Sequence, residues 1–192
     1  MKAPWSSRRS HSSLLVIAST LGLMLLVVMV VGVFAHHALG TEAQIDWQVR
    51  LTRMDEALAR DQIAGAEILW RQACAAALRS RHWEGMIAVA DAYRRLGARA
   101  GFRADAKARQ LYHTALVRAR GEMSVEGVLR AAQAFAELDD HAVVEQCIRA
   151  AWSVAAQTQK PLDEQRVRAF AEYWAARIDA PHAAQGRLEV NR

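Results

Sequence analysis

Few side chains in this sequence have the chemistry of a reactive or metal-binding group, and those that do are not grouped. His36 and His37 are neighbours, while His82, His113, His141 and His182 stand alone. Adjacent residues point about 100° apart on a helix and to opposite sides of an extended chain, so one metal ion does not readily take both His36 and His37. The pair reads as part of an interfacial linker. Cys74 and Cys147 form neither CxxC nor CxxCH, which excludes a redox pair, a zinc knuckle and haem attachment. There is no HExxH, nucleophile elbow, phosphate loop or glycine fingerprint. Asp139-Asp140 has the composition of a turn. The expectation is a protein that is not an enzyme, with no catalytic residue, no cofactor and no metal.

The chain that must position everything else is dominated by one stretch. Leu14 to Phe34 reads LLVIASTLGLMLLVVMVVGVF, 34 − 14 + 1 = 21 residues without charge or proline. As a helix it spans roughly 30 Å, the thickness of a bilayer's hydrocarbon core. The tail before it, residues 1–13, carries Lys2, Arg8 and Arg9 and no acid. Basic residues stay inside, so the tail is expected in the cytoplasm and the rest across the membrane. The expected setting is a bacterial inner (plasma) membrane, crossed once, with a periplasmic C-terminal domain. A cleaved signal is the alternative, because Val33-Phe34-Ala35 and Ala38-Leu39-Gly40 offer small residues at the required spacing. Against it, the run exceeds the roughly 7–15 apolar residues of a signal core. Ala18 and Gly22 make a small-xxx-small pair through which another membrane helix packs closely.

The net charge of +5 comes largely from the tail. Without its three cations, 25 − 3 = 22 basic residues face 20 acidic ones. No basic run or aromatic-basic interleaving remains, so nucleic acid is not an expected partner. Only 3 Pro and 10 Gly accompany 53% apolar residues, and Ala, Leu, Arg, Glu and Gln dominate after residue 46. That composition predicts an all-α domain. After a linker at 35–46, helices are expected at 47–60, 64–80, 82–96, 103–120, 124–138, 141–157 and 163–178. Asp61-Gln62, Gly97 to Gly101, Gly121 and Asp139-Asp140 supply the breaks. Ser124 is a good N-cap, and Pro161 closes the sixth helix. The domain is expected to span 47–180, followed by a loose tail at 181–192.

The helices pair, and the pairs repeat. Second helices carry Ala66-x3-Trp70-x2-Ala73, Ala108-x3-Tyr112-x2-Ala115 and Val144-x3-Ile148-x2-Ala151. First helices carry Met54-x2-Ala57, Ala90-x2-Tyr93 and Ala132-x2-Phe135. The step is 93 − 57 = 36 residues and then 135 − 93 = 42, the difference falling between Tyr93 and Ala108. The Gly97–Ala106 stretch is thus expected to be a six-residue insertion. Small residues let paired helices approach, one aromatic per helix fills the gap between pairs, and at least three pairs must stack to bury a core. The helix at 163–178 is expected to cap the stack. Trp47, Trp70, Trp83, Trp152 and Trp174 are expected to be repeat-filling core or interface aromatics, not a cofactor cage. With one pair between them, Cys74 and Cys147 are expected beyond a disulfide's reach, as two small buried thiols.

Over about residues 47–157 this pattern resembles the tetratricopeptide repeat. Ala90-Asp91-Ala92-Tyr93-Arg94-Arg95-Leu96-Gly97 with Ala108, Tyr112, Ala115 and Leu116 resembles one repeat. Ala132-Gln133-Ala134-Phe135 with Asp139-Asp140, Ile148 and Ala151 resembles a second, and 47–80 a weaker third. A closing Pro is absent from the first two units. The resemblance implies a stack of about three helix pairs plus the capping helix, a tetratricopeptide-like α-solenoid behind an N-terminal membrane anchor. It implies that first helices line a concave face that binds other proteins. The matching positions include Gln48, Asp55, Glu84, Asp91, Arg94, Arg95, Glu126, Gln133 and Glu137. The family's carboxylate clamp of Lys and Asn is replaced by Ile87, Asp91, Leu129 and Gln133, so a chaperone-tail receptor is not implied. In the insertion, Phe102 and Arg103 are a possible loop contact, since exposed aromatics beside arginines anchor interfaces. The expected function is a protein-interaction scaffold that docks or assembles a partner at the membrane, with the bilayer itself contacted through 14–34. The alternative is a permanent accessory subunit of a larger membrane complex.

Overall fold

The computed structural model describes residues 46–189, with side chains placed through Ile178. The expected membrane helix at 14–34, the Ala18 and Gly22 pair and His36-His37 lie outside the described residues. Among those described, no helix is long and apolar enough to cross a membrane. All the regular structure described is α-helical. The helices are α1 (46–59), α2 (Ile63–Ser80), α3 (Trp83–Ala100), α4 (Asp105–Gly121), α5 (Val125–Ala136), α6 (His141–Thr158) and α7 (Pro161–Glu189).

Short turns make each helix pack antiparallel on the next. Each turn reverses on one residue in the left-handed region: Asp61, Arg81, Gly101, Met123, Asp139 and Gln159, with φ of 53° to 75°. Only one is glycine. At α5 the Ser124 hydroxyl caps the start by accepting from the Gly127 amide at 3.0 Å, as expected of that serine. Basic residues Arg79, Arg99 and Arg118 occupy last turns, where they offset the helix dipole.

The helices form two layers. In one, α3 packs on α5 and α5 on α7. There α1 joins α3 through Asp55 and Arg95. In the other, α4 packs on α6, and the Arg118 guanidinium donates to the Ala77 and Leu78 carbonyls of α2 at 2.9 and 3.1 Å. The core between the layers is built largely of alanine, with Met54, Met86, Leu96, Tyr112 and Phe135 as its largest fully buried side chains. The repeat positions named from the sequence fall in it: Ala66, Trp70 and Ala73, then Ala108, Tyr112 and Ala115, then Val144 and Ala151 are all buried. Aromatic pairs join successive helix pairs, Trp70 to Tyr93 at 4.4 Å between centroids and Tyr112 to Phe135 at 5.9 Å. The architecture is therefore helical and repeat-like.

One interlock occurs twice. A methyl group placed on Gly85 would meet the Ala77 Cβ and the Trp47 Nε1 at 3.0 Å. On Gly127 it would meet the Ala119 Cβ and the Trp83 Cδ2 at 2.7 Å. Trp47 and Trp83 are 83 − 47 = 36 residues apart, and Gly85 and Gly127 are 127 − 85 = 42 apart, the same steps as the helix pairs. The tryptophan at the head of one first helix thus lies on the glycine at the head of the next, backed by an alanine of the helix between.

The structure corrects four expectations. α3 runs through Gly97 to Ala100, so most of the expected insertion is an extra helical turn and only 101–104 is loop. Gly97 serves close approach: a Cβ there would meet the Ala104 Cβ at 2.7 Å and the Phe102 carbonyl oxygen at 2.9 Å. Pro161 opens α7 instead of closing α6, because its missing amide hydrogen costs nothing at a first helical position. α7 continues past Pro181 to Glu189, into the expected tail. Four of the five helix tryptophans are buried in the core as expected, and Trp152, 37% exposed on α6, is left as the interface aromatic. Cys74 is part-buried, not fully buried; it and Cys147 are unpaired, and burial pushes both thiols up, that of Cys147 to about 12.

The interlock makes a contrast to test. Gly127→Ala should cost about 1–3 kcal/mol, because the new methyl overlaps a rigid Ala119 and an indole ring. Gly121→Ala, with open space around it in the last turn of α4, should stabilise by about 0.5–1 kcal/mol. Urea unfolding followed by circular dichroism measures both, and equal effects would mean that the close approach is not limiting.

Candidate protein-binding face

The odd-numbered layer brings together five of the residues singled out from the sequence. The Arg95 guanidinium donates to both carboxylate oxygens of Asp55 on α1 at 3.0 Å. The Arg94 guanidinium donates to Glu137, just past α5, at 2.6 Å. Arg99 pairs with Asp61 at 3.2 Å. The Tyr112 hydroxyl of α4 donates to Asp91 at 2.5 Å. These contacts join residues 21 to 43 positions apart in the chain, and they tie α3 to α1, α4 and α5. Arg94, Arg95, Asp55 and Glu137 were expected to point at a partner. In the structure Arg95 pairs with Asp55 and Arg94 with Glu137, and all four side chains remain partly exposed. Exposed pairs of this kind contribute about 0.2–1 kcal/mol each, so they set register more than stability.

Burial raises the Asp91 carboxyl above its ordinary range, opposed by the Tyr112 hydrogen bond. Burial and the Asp91 charge raise the Tyr112 phenol in turn.

Beside these braces lie two grooves. The first, about 520 Å³, is lined by Asp91, Arg94, Glu137, Phe102 and Arg103 among others. Phe102 stacks on Tyr93 at 5.3 Å between centroids and remains 40% exposed, so the loop aromatic is held against α3 and still offers a face. The second groove, about 440 Å³, runs between α5 and α7. Leu129, Phe170 and Tyr173 form its apolar lining, with Arg130 and Arg166 beside them. Gln133 lies here and accepts from Arg130 at 2.8 Å. One turn of α5 separates Gln133 from Glu137, so the grooves adjoin. Arg103 and Arg130 take part in none of the ion pairs among the described residues. Glu84 is not on this face: it joins His82 and Glu122 at the other end of α3.

Phe170, Tyr173, Arg130 and Arg166 were missed by the sequence reasoning. Reading 163–178 as a cap attends to its apolar spacing and overlooks that Tyr173, beside the buried Trp174, must face outward. No family model, curated protein or solved structure matches this chain.

Asp91 supplies a prediction with a definite sign. Its folded-state pKa is raised, so the proton favours the fold: this contribution is full below the ordinary carboxylate range and is lost as pH rises through the folded value. Asp91→Asn still accepts from Tyr112 and cannot ionise. It should be at least as stable as the parent at pH 7, with the difference vanishing below the ordinary carboxylate range. Unfolding midpoints across pH measure this, and a variant destabilised only at neutral pH would reverse the sign.

Proposed function

We propose that this chain is a membrane-anchored protein-interaction module. The helix at 14–34 holds it in the bacterial inner membrane, and the helical stack, tetratricopeptide-like in its pairing, works in the periplasm. The odd-numbered layer docks a segment of a partner protein and so helps to assemble or position that partner at the membrane. The observation that carries this reading is the α5–α7 groove beside the Phe102 groove. It leaves Tyr173 58% exposed beside Arg130, which takes part in no ion pair among the described residues. Aromatic and arginine side chains together are the commonest anchors of interfaces. A segment with an apolar anchor flanked by carboxylates matches that lining.

A second reading, a permanent accessory subunit, is favoured by the opposite layer. There Val117 is 69% exposed and Trp152 also reaches the surface, with a groove of about 360 Å³ between α4 and α6. Apolar side chains on both layers fit a chain held from two sides.

Paired variants separate the two. Tyr173→Ala with Arg130→Glu should lower recovery of the partner from detergent-solubilised membranes roughly tenfold or more while the helical circular dichroism is unchanged. Val117→Ser with Trp152→Ser should leave recovery intact. The reverse pattern moves the contact to the outer layer. Exchange of 14–34 for an unrelated apolar helix should spare an adaptor and disrupt an integral subunit.

A further inference from the structure

At the start of α3, three side chains from two segments of the chain meet. His82 is the residue before α3, Glu84 lies in its first turn, and Glu122 follows the last residue of α4. One ligand atom from each lies within 4.8 Å of the other two. The His82 Nδ1 and a Glu122 oxygen are 3.6 Å apart. Bonds of about 2.0–2.2 Å to a tetrahedral zinc ion place neighbouring ligand atoms roughly 3.3–3.6 Å apart, so this edge already has the required length.

A second observation comes from Glu84. Its Oε2 is fully buried and has no hydrogen-bond partner among the described residues. A buried carboxylate oxygen without a partner is costly, and a bound ion is one of the few arrangements that satisfies it. Arginine answers other acids in this chain, but neither Glu84 nor Glu122 has one within ion-pair distance among the described residues. The nearby Arg118 is committed elsewhere: its guanidinium donates to the carbonyls of Ala77, Leu78 and His82 at 2.9 to 3.1 Å. The bond to His82 fixes the turn that presents the imidazole. The negative end of α4 and the positive end of α3 meet at the cluster and offset each other.

We propose that His82, Glu84 and Glu122 bind a divalent first-row transition ion, of which Zn²⁺ fits best, with a water molecule at the fourth position. The ion staples the start of α3 to the turn after α4 and satisfies the buried Glu84 oxygen. A nitrogen ligand selects such an ion over Mg²⁺ and Ca²⁺, which take oxygen donors.

The test uses the full chain, stripped of metal and titrated with ZnSO4, with bound zinc and the melting temperature followed together. One equivalent should bind and the melting temperature should rise. His82→Ala and Glu122→Gln should each weaken binding tenfold or more, whereas His36→Ala with His37→Ala should not. Glu84→Ala separates a ligand from a packing residue: without metal it should melt no lower than the parent, since the unpaired oxygen is gone, and its response to zinc should be lost. The proposal is overturned by an absence of stoichiometric binding, or by binding that survives in His82→Ala and disappears with His36 and His37. An equal response to Ca²⁺ that ignores His82→Ala would also overturn it, since it marks only a negative patch.

Discussion

The stack depends on how closely consecutive first helices approach, and that distance is set where an indole lies on a glycine. Trp83 over Gly127, backed by Ala119, leaves no space for even one methyl group, and Trp47 over Gly85, backed by Ala77, leaves only a tight fit for one. A side chain on Gly127 would push the helix heads apart. The ion pairs between odd-numbered helices would then lose their register, because Asp55 reaches Arg95 and Arg94 reaches Glu137 only across neighbouring helices at this spacing. The series ends in a smaller residue: 42 positions after Trp83 stands Val125, which is buried. With no fourth pair to receive an indole, α7 lies against α5 and closes the core with Val167 and Trp174.

Much of this was legible because the signals were local and periodic. Helix positions followed from the 3.6-residue period, and the buried alanines and aromatics of each pair followed from the repeat. What escaped had no local signature. Five of the six turns place a residue other than glycine in the left-handed region, so searching for glycine finds Gly101 and misses Arg81, Met123 and Gln159. Gly121, which looked like a terminator, is helical, and Met123 makes the turn. Gly97 looked like the start of a loop, but its role depends on Ala104 and Phe102 folding back across it. Tertiary contact decides such positions, and one glycine reads the same for a stop, a hinge or a close approach.

The candidate face shows the same limit in its chemistry. The resemblance to the tetratricopeptide repeat put Asp55, Asp91, Arg94, Arg95 and Glu137 on one polar face, and the structure places them on one layer. Periodicity says which side of a helix a residue occupies; it does not say which charge on another helix will answer it. Asp55 and Arg95 are 40 positions apart. Nothing in their local sequence marks them as partners instead of free contacts.

This division bears on what the face can recognise. An acidic partner that sought Arg94 would have to displace Glu137, whose Oε2 already accepts from the Arg94 guanidinium just past the end of α5, and would recover in the new pair little more than it removed from the old. Arg103 and Arg130 impose no such exchange. Beside them Phe102 and Tyr173 already stand in water over grooves, so a partner gains apolar burial at the same points where it gains a charge. In the proposed docking, recognition on this layer is therefore carried by Arg103, Arg130, Phe102 and Tyr173, and the braces between them keep the two grooves at a fixed separation.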